Sequence, residues 1–230
     1  GVALPIISAA GAEAAVLPTA VLSAHTAFAH VYKRDLSQDM EAIFASWEQE
    51  GLAFDFVYTG YLASPEQIGT VSRFLNRLPG KDQAVFVDPV MGDFGKLYTG
   101  FHTTFPGYMA DLCAHADVIV PNLTEACALL NEPYREDFTR DQLTDLLRRL
   151  CAMGAKCAVL TGVSPTGEED KLGVLKYDGR DGSTFSYYGE RVRTSQPLHG
   201  TGDVFASACV GALAAGMCLD DALSLAVEFT

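Results

Sequence analysis

Apolar positions in this chain alternate between short continuous runs and stripes spaced three and four residues apart, the pattern of strands interleaved with helices. Residues 14–21 read as a short apolar strand or extended segment. Ser37 stands where an N-cap belongs, Asp39 and Glu41 follow in a first turn, and Met40, Ile43, Phe44 and Trp47 fall on one helical stripe. Residues 54–61 are rich in aromatic and β-branched side chains and predict a strand. Ser64-Pro65-Glu66-Gln67 predicts a helix start with a capping box and proline at the first helical position, its buried face continuing through Ile68, Val71, Leu75 and Leu78.

Residues 84–87 and 118–120 predict short buried strands, the second followed by a helix over about 124–130. Thr139 with Gln142 offers another capping box ahead of Leu143, Leu146, Leu147 and Leu150 at helical spacing. Residues 157–160 predict a strand ending at Thr161-Gly162, and residues 172–177 and 184–188 an antiparallel hairpin joined by Asp178-Gly179-Arg180-Asp181-Gly182. A small-residue run over 204–216 and a last segment over 219–230 predict two closing helices. Repeated strand–helix units with one late hairpin imply an α/β fold with a mostly parallel sheet covered on both faces.

At 230 residues, 49% hydrophobic and 20% charged, the chain fits one globular domain with a substantial core. A net charge of −13 argues against nucleic acid or an anionic membrane as partner, so any phosphate site must rely on helix ends, glycine turns and metal. No apolar stretch approaches a membrane span, and no signal-peptide pattern opens the sequence. The six cysteines show no C-x-x-C spacing and lie mostly in apolar segments, which points to buried small side chains in a reducing cytoplasm.

Candidate chemistry gathers in three places. Gly200-Thr201-Gly202-Asp203 leads straight into the helix over 204–216. Its glycines allow close backbone approach, and the helix start supplies unpaired N–H groups for an anion. A carboxylate at Asp203, where an anion would arrive, suits a base that takes a proton from an alcohol during phosphoryl transfer; an ordinary aspartate cap behind a glycine turn is the alternative. Asp88-Pro89-Val90-Met91-Gly92-Asp93 and Pro121-Asn122-Leu123-Thr124-Glu125 each place acids just past a predicted strand, the edge where α/β sheets bind ligands. Such oxygens suit magnesium shared with phosphates. A P-loop is absent, the third glycine of a dinucleotide fingerprint is replaced by Phe205, and Asp93-Phe94-Gly95 stands without the other protein-kinase motifs.

DPVMGD (88–93), PNLTEA (121–126) and HGTGD (199–203), in this order, resemble the vitamin B6 kinases, pyridoxal or pyridoxamine kinases of the ribokinase-like superfamily. The segments LPTAVLSAHT (17–26) and TGYL (59–62) are similar to the vitamin-pocket segments of that family, and the resemblance runs through most of the chain. It implies a ribokinase-like three-layer α/β/α sandwich and ATP-dependent phosphorylation of the 5′-hydroxymethyl group of pyridoxal, pyridoxamine or pyridoxine. Carried onto these residues, it makes Asp203 the base, with the Gly200, Thr201 and Gly202 amides stabilising the moving phosphoryl group. Asp93 and Glu125 would hold magnesium largely through water, first-turn charge and turn formation being their simpler roles. Asn122 would contact phosphate, as would Thr161 unless it is a cap. Tyr98 would lie on the nucleotide side or be an ordinary half-buried aromatic, and Asp88 would serve the nucleotide or only anchor its strand end. Thr26 and Tyr61 would hydrogen-bond and pack on the vitamin ring, with His25 on a ring substituent and His199 positioned beside the turn. Potassium as a helper cation and a cytoplasmic homodimer follow from the same resemblance.

Similar kinases carry a strand and a glycine loop ahead of the helix that opens this sequence. The expectation is therefore a single domain over 1–230 lacking that first strand and the C-terminal end. Hydroxymethylpyrimidine kinase, with the same chemistry on a smaller ring, is the nearest alternative, and a non-catalytic fragment is the alternative of a different class.

Overall fold

The computed structural model describes residues 2–24, 28, 30–78, 83–164, 166–192 and 200–230; His25, Thr26 and His199 lie outside them. In chain order the elements begin with α1 (Ala3–Ala9), β1 (Ala20–Leu22), β2 (Lys33–Asp35), α2 (Ser37–Gln49), β3 (Phe56–Thr59) and α3 (Pro65–Arg77). There follow β4 (Ala84–Val87), β5 (Gly92–Asp93), β6 (Lys96–Leu97), α4 (Phe105–Cys113), β7 (Val118–Ile119) and α5 (Leu123–Leu129). The last are α6 (Arg140–Ala152), β8 (Cys157–Val163), β9 (Lys171–Asp178), β10 (Thr184–Glu190), α7 (Thr201–Ala214) and α8 (Leu219–Phe229).

Six strands form the central sheet in the order β10-β9-β8-β7-β4-β3. β3, β4, β7 and β8 run parallel, while β9 and β10 add the expected hairpin antiparallel at one edge, so the sheet is mixed. Successive strand residues face opposite sides and enter two separate cores. Val87, Ile119, Ala158, Leu160 and Leu175 join Met40 of α2, Val71 of α3, Leu112 of α4, Ala126 of α5 and Leu147 of α6. Phe86, Val120, Cys157, Val159 and Val174 join Phe205 and Cys209 of α7 and Leu223 of α8, with Ile6 and Ile7 of α1 against them. This is the three-layer α/β/α arrangement.

Local chemistry explains the helix starts. Ser64 Oγ accepts the Gln67 N–H at 3.3 Å with Pro65 at the first helical position. Thr139 and Gln142 close a complete capping box on α6. In α7, residues 205–212 are all buried, which requires small side chains around the whole helix. A Cβ on Gly211 would stand 2.8 Å from Ala10 Cβ, so glycine there lets α1 approach.

Three local expectations differ. Within 14–21 only Ala20 and Val21 are in a strand, and β1 pairs with the exposed β2 in a separate two-stranded flap. Ser37 is the first helical residue, not the cap. Asp35 Oδ1 accepts its N–H at 2.7 Å and also its hydroxyl, which holds the Asp35 carboxyl below its ordinary range. Gln67, fully buried, accepts from Ala63 N at 2.7 Å instead of closing the box on Ser64. Its Nε2 donates to Thr19 O at 2.8 Å and Asp35 Oδ1 at 3.2 Å, tying the flap to α3. All six cysteines are free thiols; four are buried, while Cys151 is half-buried and Cys218 exposed.

Candidate active site

The parallel strands end level with one another. Thr59 pairs with Val87, Val87 with Ile119, and Ile119 with Ala158. Beyond them Asp88 N–H donates to Thr59 O at 2.9 Å, Val120 N–H to Val87 O at 3.0 Å and Thr161 N–H to Pro121 O at 3.0 Å. A parallel bridge joins Asn122 to Thr161. Tyr61, Asp88, Asn122 and Thr161 therefore lie along the carboxyl edge of one sheet, the edge that binds ligands in open α/β folds. At Gly162, with φ +65°, the pairing of β8 with β9 shifts register, a bulge immediately after Thr161. The Thr161 hydroxyl donates to Pro121 O at 3.4 Å.

α7 brings Asp203 to this edge. Gly200 precedes the helix in a left-handed conformation, φ +87°, that a side chain would strain, and its carbonyl accepts the Val204 N–H at 3.0 Å. The N–H groups of Thr201, Gly202 and Asp203 have no acceptor within the helix. Thr201 and Gly202 are exposed, and among the described residues nothing lies within 4 Å of a Cβ placed on Gly202. That leaves room for a phosphoryl group against the helix start.

The β5–β6 hairpin carries Asp93 and Tyr98 and hangs on the start of α5. Asn122 and Glu125 form a reciprocal capping box. The outer atoms of both reach the hairpin: Asn122 Nδ2 donates to Gly92 O at 2.8 Å, and Glu125 Oε1 accepts the Met91 N–H at 3.1 Å. Gly95 N–H donates to Thr124 Oγ1 at 2.9 Å, and a Cβ on Gly95 would meet the Tyr134 ring at 2.5 Å. Asp93 Oδ1 accepts the Phe94 N–H at 2.9 Å within the turn, where Phe94 and Gly95 both have positive φ. Asp93-Phe94-Gly95 is thus a hairpin turn.

Negative charge accumulates here. Burial pushes the Asp88 carboxyl well above its ordinary range, and the charges of Glu125 and Asp203 add to the rise. Asp88 makes no side-chain hydrogen bond among the described residues. Burial likewise pushes Glu125 up to about 7, although it accepts from the Asn122 and Met91 backbone. Tyr98 is raised, first by burial and then by Glu125 and Asp93. A buried, unbonded carboxylate among like charges fits a cation. Among the described residues, however, no three His, Cys, Asp or Glu side chains converge as an ion cage. Glu125, with both oxygens engaged, fits contact through water, and Asp88 is the side chain left open.

Tyr61, half-buried, follows β3. Its ring lies 5.9 Å from Phe101, which stacks on Phe105 at 4.1 Å. Lys33 Nζ donates to its hydroxyl at 3.2 Å. Lys33 and Phe101 were not legible as site residues, since their proximity depends on the flap and on the loop before α4. Tyr58, packed edge-on against Phe86 and raised first by burial and then by the charges of Asp88 and Asp203, was also missed; its place directly before the TGYL segment was the available signal.

Residues 4–230 match the family described as phosphomethylpyrimidine kinase. The chain belongs to that family. Among solved structures it is similar to a Bacteroides thetaiotaomicron protein assigned as a phosphomethylpyrimidine kinase and crystallised with pyridoxal. The two are 39% identical with a TM-score of 0.92, over 99% of this chain and 79% of the other. It is also similar to pyridoxal kinase from Lactobacillus plantarum, 34% identical with a TM-score of 0.86, over 98% of this chain and 78% of the other. Among curated proteins it is 27% identical over 98% of its length to the chloroplastic thiamine biosynthetic bifunctional enzyme of Arabidopsis thaliana, of which it spans 42%. As a phosphomethylpyrimidine kinase family member with these structural relatives, the chain has the ribokinase-like fold.

Proposed function

We propose that this protein transfers the γ-phosphoryl group of ATP to the 5′-hydroxymethyl group of pyridoxal, pyridoxamine or pyridoxine. One observation carries the reading: Asp203 stands in the first turn of α7, beside two exposed positions with room for a phosphoryl group and across from the buried Asp88. Asp203 accepts the alcohol proton late, as the oxygen–phosphorus bond forms and the bond to the departing ADP breaks. The Gly200, Thr201 and Gly202 amides neutralise the equatorial oxygens. Asn122, Thr161 and Tyr98 serve the nucleotide, and Tyr61 offers the vitamin ring a face backed by Phe101.

Asp88, Asp93 and, through water, Glu125 would hold magnesium, which when bound offsets phosphate charge in a site rich in carboxylates. Potassium belongs to the same proposal without assigned residues. A homodimer is supported by the exposed Val21, Phe28 and Tyr32 on and between the flap strands, and a cytoplasmic setting by the six free thiols. The pyridoxal-bound Bacteroides relative and the Lactobacillus pyridoxal kinase support the B6 substrate. Hydroxymethylpyrimidine is the second reading, supported by the family description and the plant thiamine enzyme.

Turnover with pyridoxal, pyridoxamine, pyridoxine and hydroxymethylpyrimidine ranks these substrates. Asp203→Asn should lower turnover by ~10²–10⁴-fold while ATP still binds. Near-normal turnover in that variant removes Asp203 as the base.

A further inference from the structure

We infer that Lys33 sets the substrate preference of this site, its ammonium receiving the anionic ring oxygen of a hydroxypyridine and so favouring B6 vitamers over an aminopyrimidine. The inference rests on, and deepens, the reading of the site as a hydroxymethyl kinase. Lys33 begins β2 and pairs with Leu22 across the flap. Its Nζ donates to the Tyr61 hydroxyl at 3.2 Å and lies 5.7 Å from the centre of that ring. The flap is fastened to the same residue at its root, where Thr19 Oγ1 donates to Tyr61 O at 3.0 Å. Thr19 O in turn accepts from Gln67 Nε2 of α3 at 2.8 Å and from the Leu36 N–H at 3.1 Å. Lys33 is exposed and long, yet these contacts keep its charge at the rim of the ring proposed to pack on the substrate.

An ammonium has three protons, and the Tyr61 hydroxyl takes one, so two remain for a ligand. Asp35, the acid on the same strand, directs Oδ1 at Ser37 and Gln67. A ring lying on Tyr61 brings its edge to Nζ, and the two candidate substrates present different partners there. Pyridoxal, pyridoxamine and pyridoxine all carry a hydroxyl on a pyridine ring. The ring nitrogen takes up a proton readily and the hydroxyl loses its own, leaving an anionic oxygen at neutral pH. Hydroxymethylpyrimidine is uncharged; it offers neutral ring nitrogens and an amino donor, and no anionic oxygen. Charge-assisted hydrogen bonds are roughly twice as strong as neutral ones, so the same ammonium holds the two rings unequally. The acids Asp88, Asp93, Glu125 and Asp203 elsewhere on the site repel an anionic oxygen, and a cation at the rim offsets that repulsion.

The experiment compares the parent, Lys33→Met and Lys33→Arg in the full chain. Each is assayed with the three B6 vitamers, with pyridoxine lacking its ring hydroxyl, and with hydroxymethylpyrimidine as substrate or competitor. Lys33→Met should raise KM for all three vitamers by ~10-fold, the scale of one charged hydrogen bond. KM for ATP and the affinity for hydroxymethylpyrimidine should stay within ~2-fold of the parent. Lys33→Arg keeps the charge and should lose less. Pyridoxine without its ring hydroxyl should be insensitive to Lys33→Met, as a shared contact requires. Unchanged vitamer KM in Lys33→Met overturns the inference, as does an equal loss with hydroxymethylpyrimidine. A loss confined to pyridoxal moves the lysine to the aldehyde, and a rise in KM for ATP moves it to phosphate; either overturns the inference while the B6 reading stands. If the parent phosphorylates hydroxymethylpyrimidine and no B6 vitamer, that reading fails and this inference fails with it.

Discussion

Asn122 Oδ1 accepts the Glu125 N–H at 3.0 Å while Glu125 Oε2 accepts the Asn122 N–H at 2.9 Å, so the two residues cap α5 reciprocally and hold the β5–β6 hairpin with their remaining atoms. The acids and amides proposed to face a cation are thereby hung from one helix start. Glu125 spends its hydrogen-bonding capacity on the protein, which separates its contribution from that of Asp88.

A pH dependence of stability follows for Glu125. Its carboxyl rises from an ordinary value of 4.5 to about 7 on burial, so the folded protein binds the extra proton. The resulting stability is full below about pH 4.5 and lost as pH rises through 7. In chelator without nucleotide, the melting temperature should fall across this window. Glu125→Gln should flatten that slope, with a residual fall from Asp88. Parallel curves for parent and variant would show that another group governs the slope.

Asp88→Asn should act differently. It removes a buried charge that has no hydrogen bond among the described residues, so the ion-free protein should melt higher. The magnesium needed for half-maximal turnover should rise by roughly tenfold or more, with pyridoxal affinity little changed. Superimposable magnesium titrations would take Asp88 off the ion side.

Tyr61 presents its ring against Phe101 and its hydroxyl to Lys33. Tyr61→Ala should raise KM for pyridoxal by roughly tenfold, the worth of one aromatic stacking partner, and leave KM for ATP alone. Tyr61→Phe should change it by less than about threefold. Equal losses in the two variants would transfer recognition from the ring to the Lys33-bonded hydroxyl.

Gly173 tests the sheet. A Cβ there would stand 1.9 Å from Tyr187 O and 2.7 Å from Tyr188 Cα, both backbone atoms that cannot swing away. Gly173→Ala should cost at least about 2 kcal/mol by urea unfolding. An unchanged midpoint would mean that β9 and β10 part more easily than their ladder suggests.

How far the sequence was legible depended on whether the deciding partner was near in the chain. The α6 capping box needed only Thr139 and Gln142, and the β9–β10 hairpin only its own alternation and glycine turn. Residues 14–21 carried a strand pattern, yet their partner was the distant, fully exposed β2 instead of the main sheet. Gln67 reads as the capping-box partner of Ser64, yet its amide is taken by Ala63 and by Thr19 and Asp35 of the distant flap. At the site, Asn122 and Glu125 suggested ligand chemistry by residue type. Their mutual cap lay in the same three-residue spacing that was noticed at Thr139 and Gln142.

The two cores on opposite faces of the sheet divide the machinery between them. Asp203 rides on the layer built from α1, α7 and α8, whereas the hairpin with Asp93 and Tyr98 rides on the layer of α2 to α6. Among the described residues only the sheet is common to both, so it acts as the ruler that sets the gap between the proposed base and the groups proposed to hold the donor. Slackening either layer would change that gap while each layer still looked intact by itself. Core substitutions far from every reacting atom should therefore act as miscalibrations, and the two layers should show them independently.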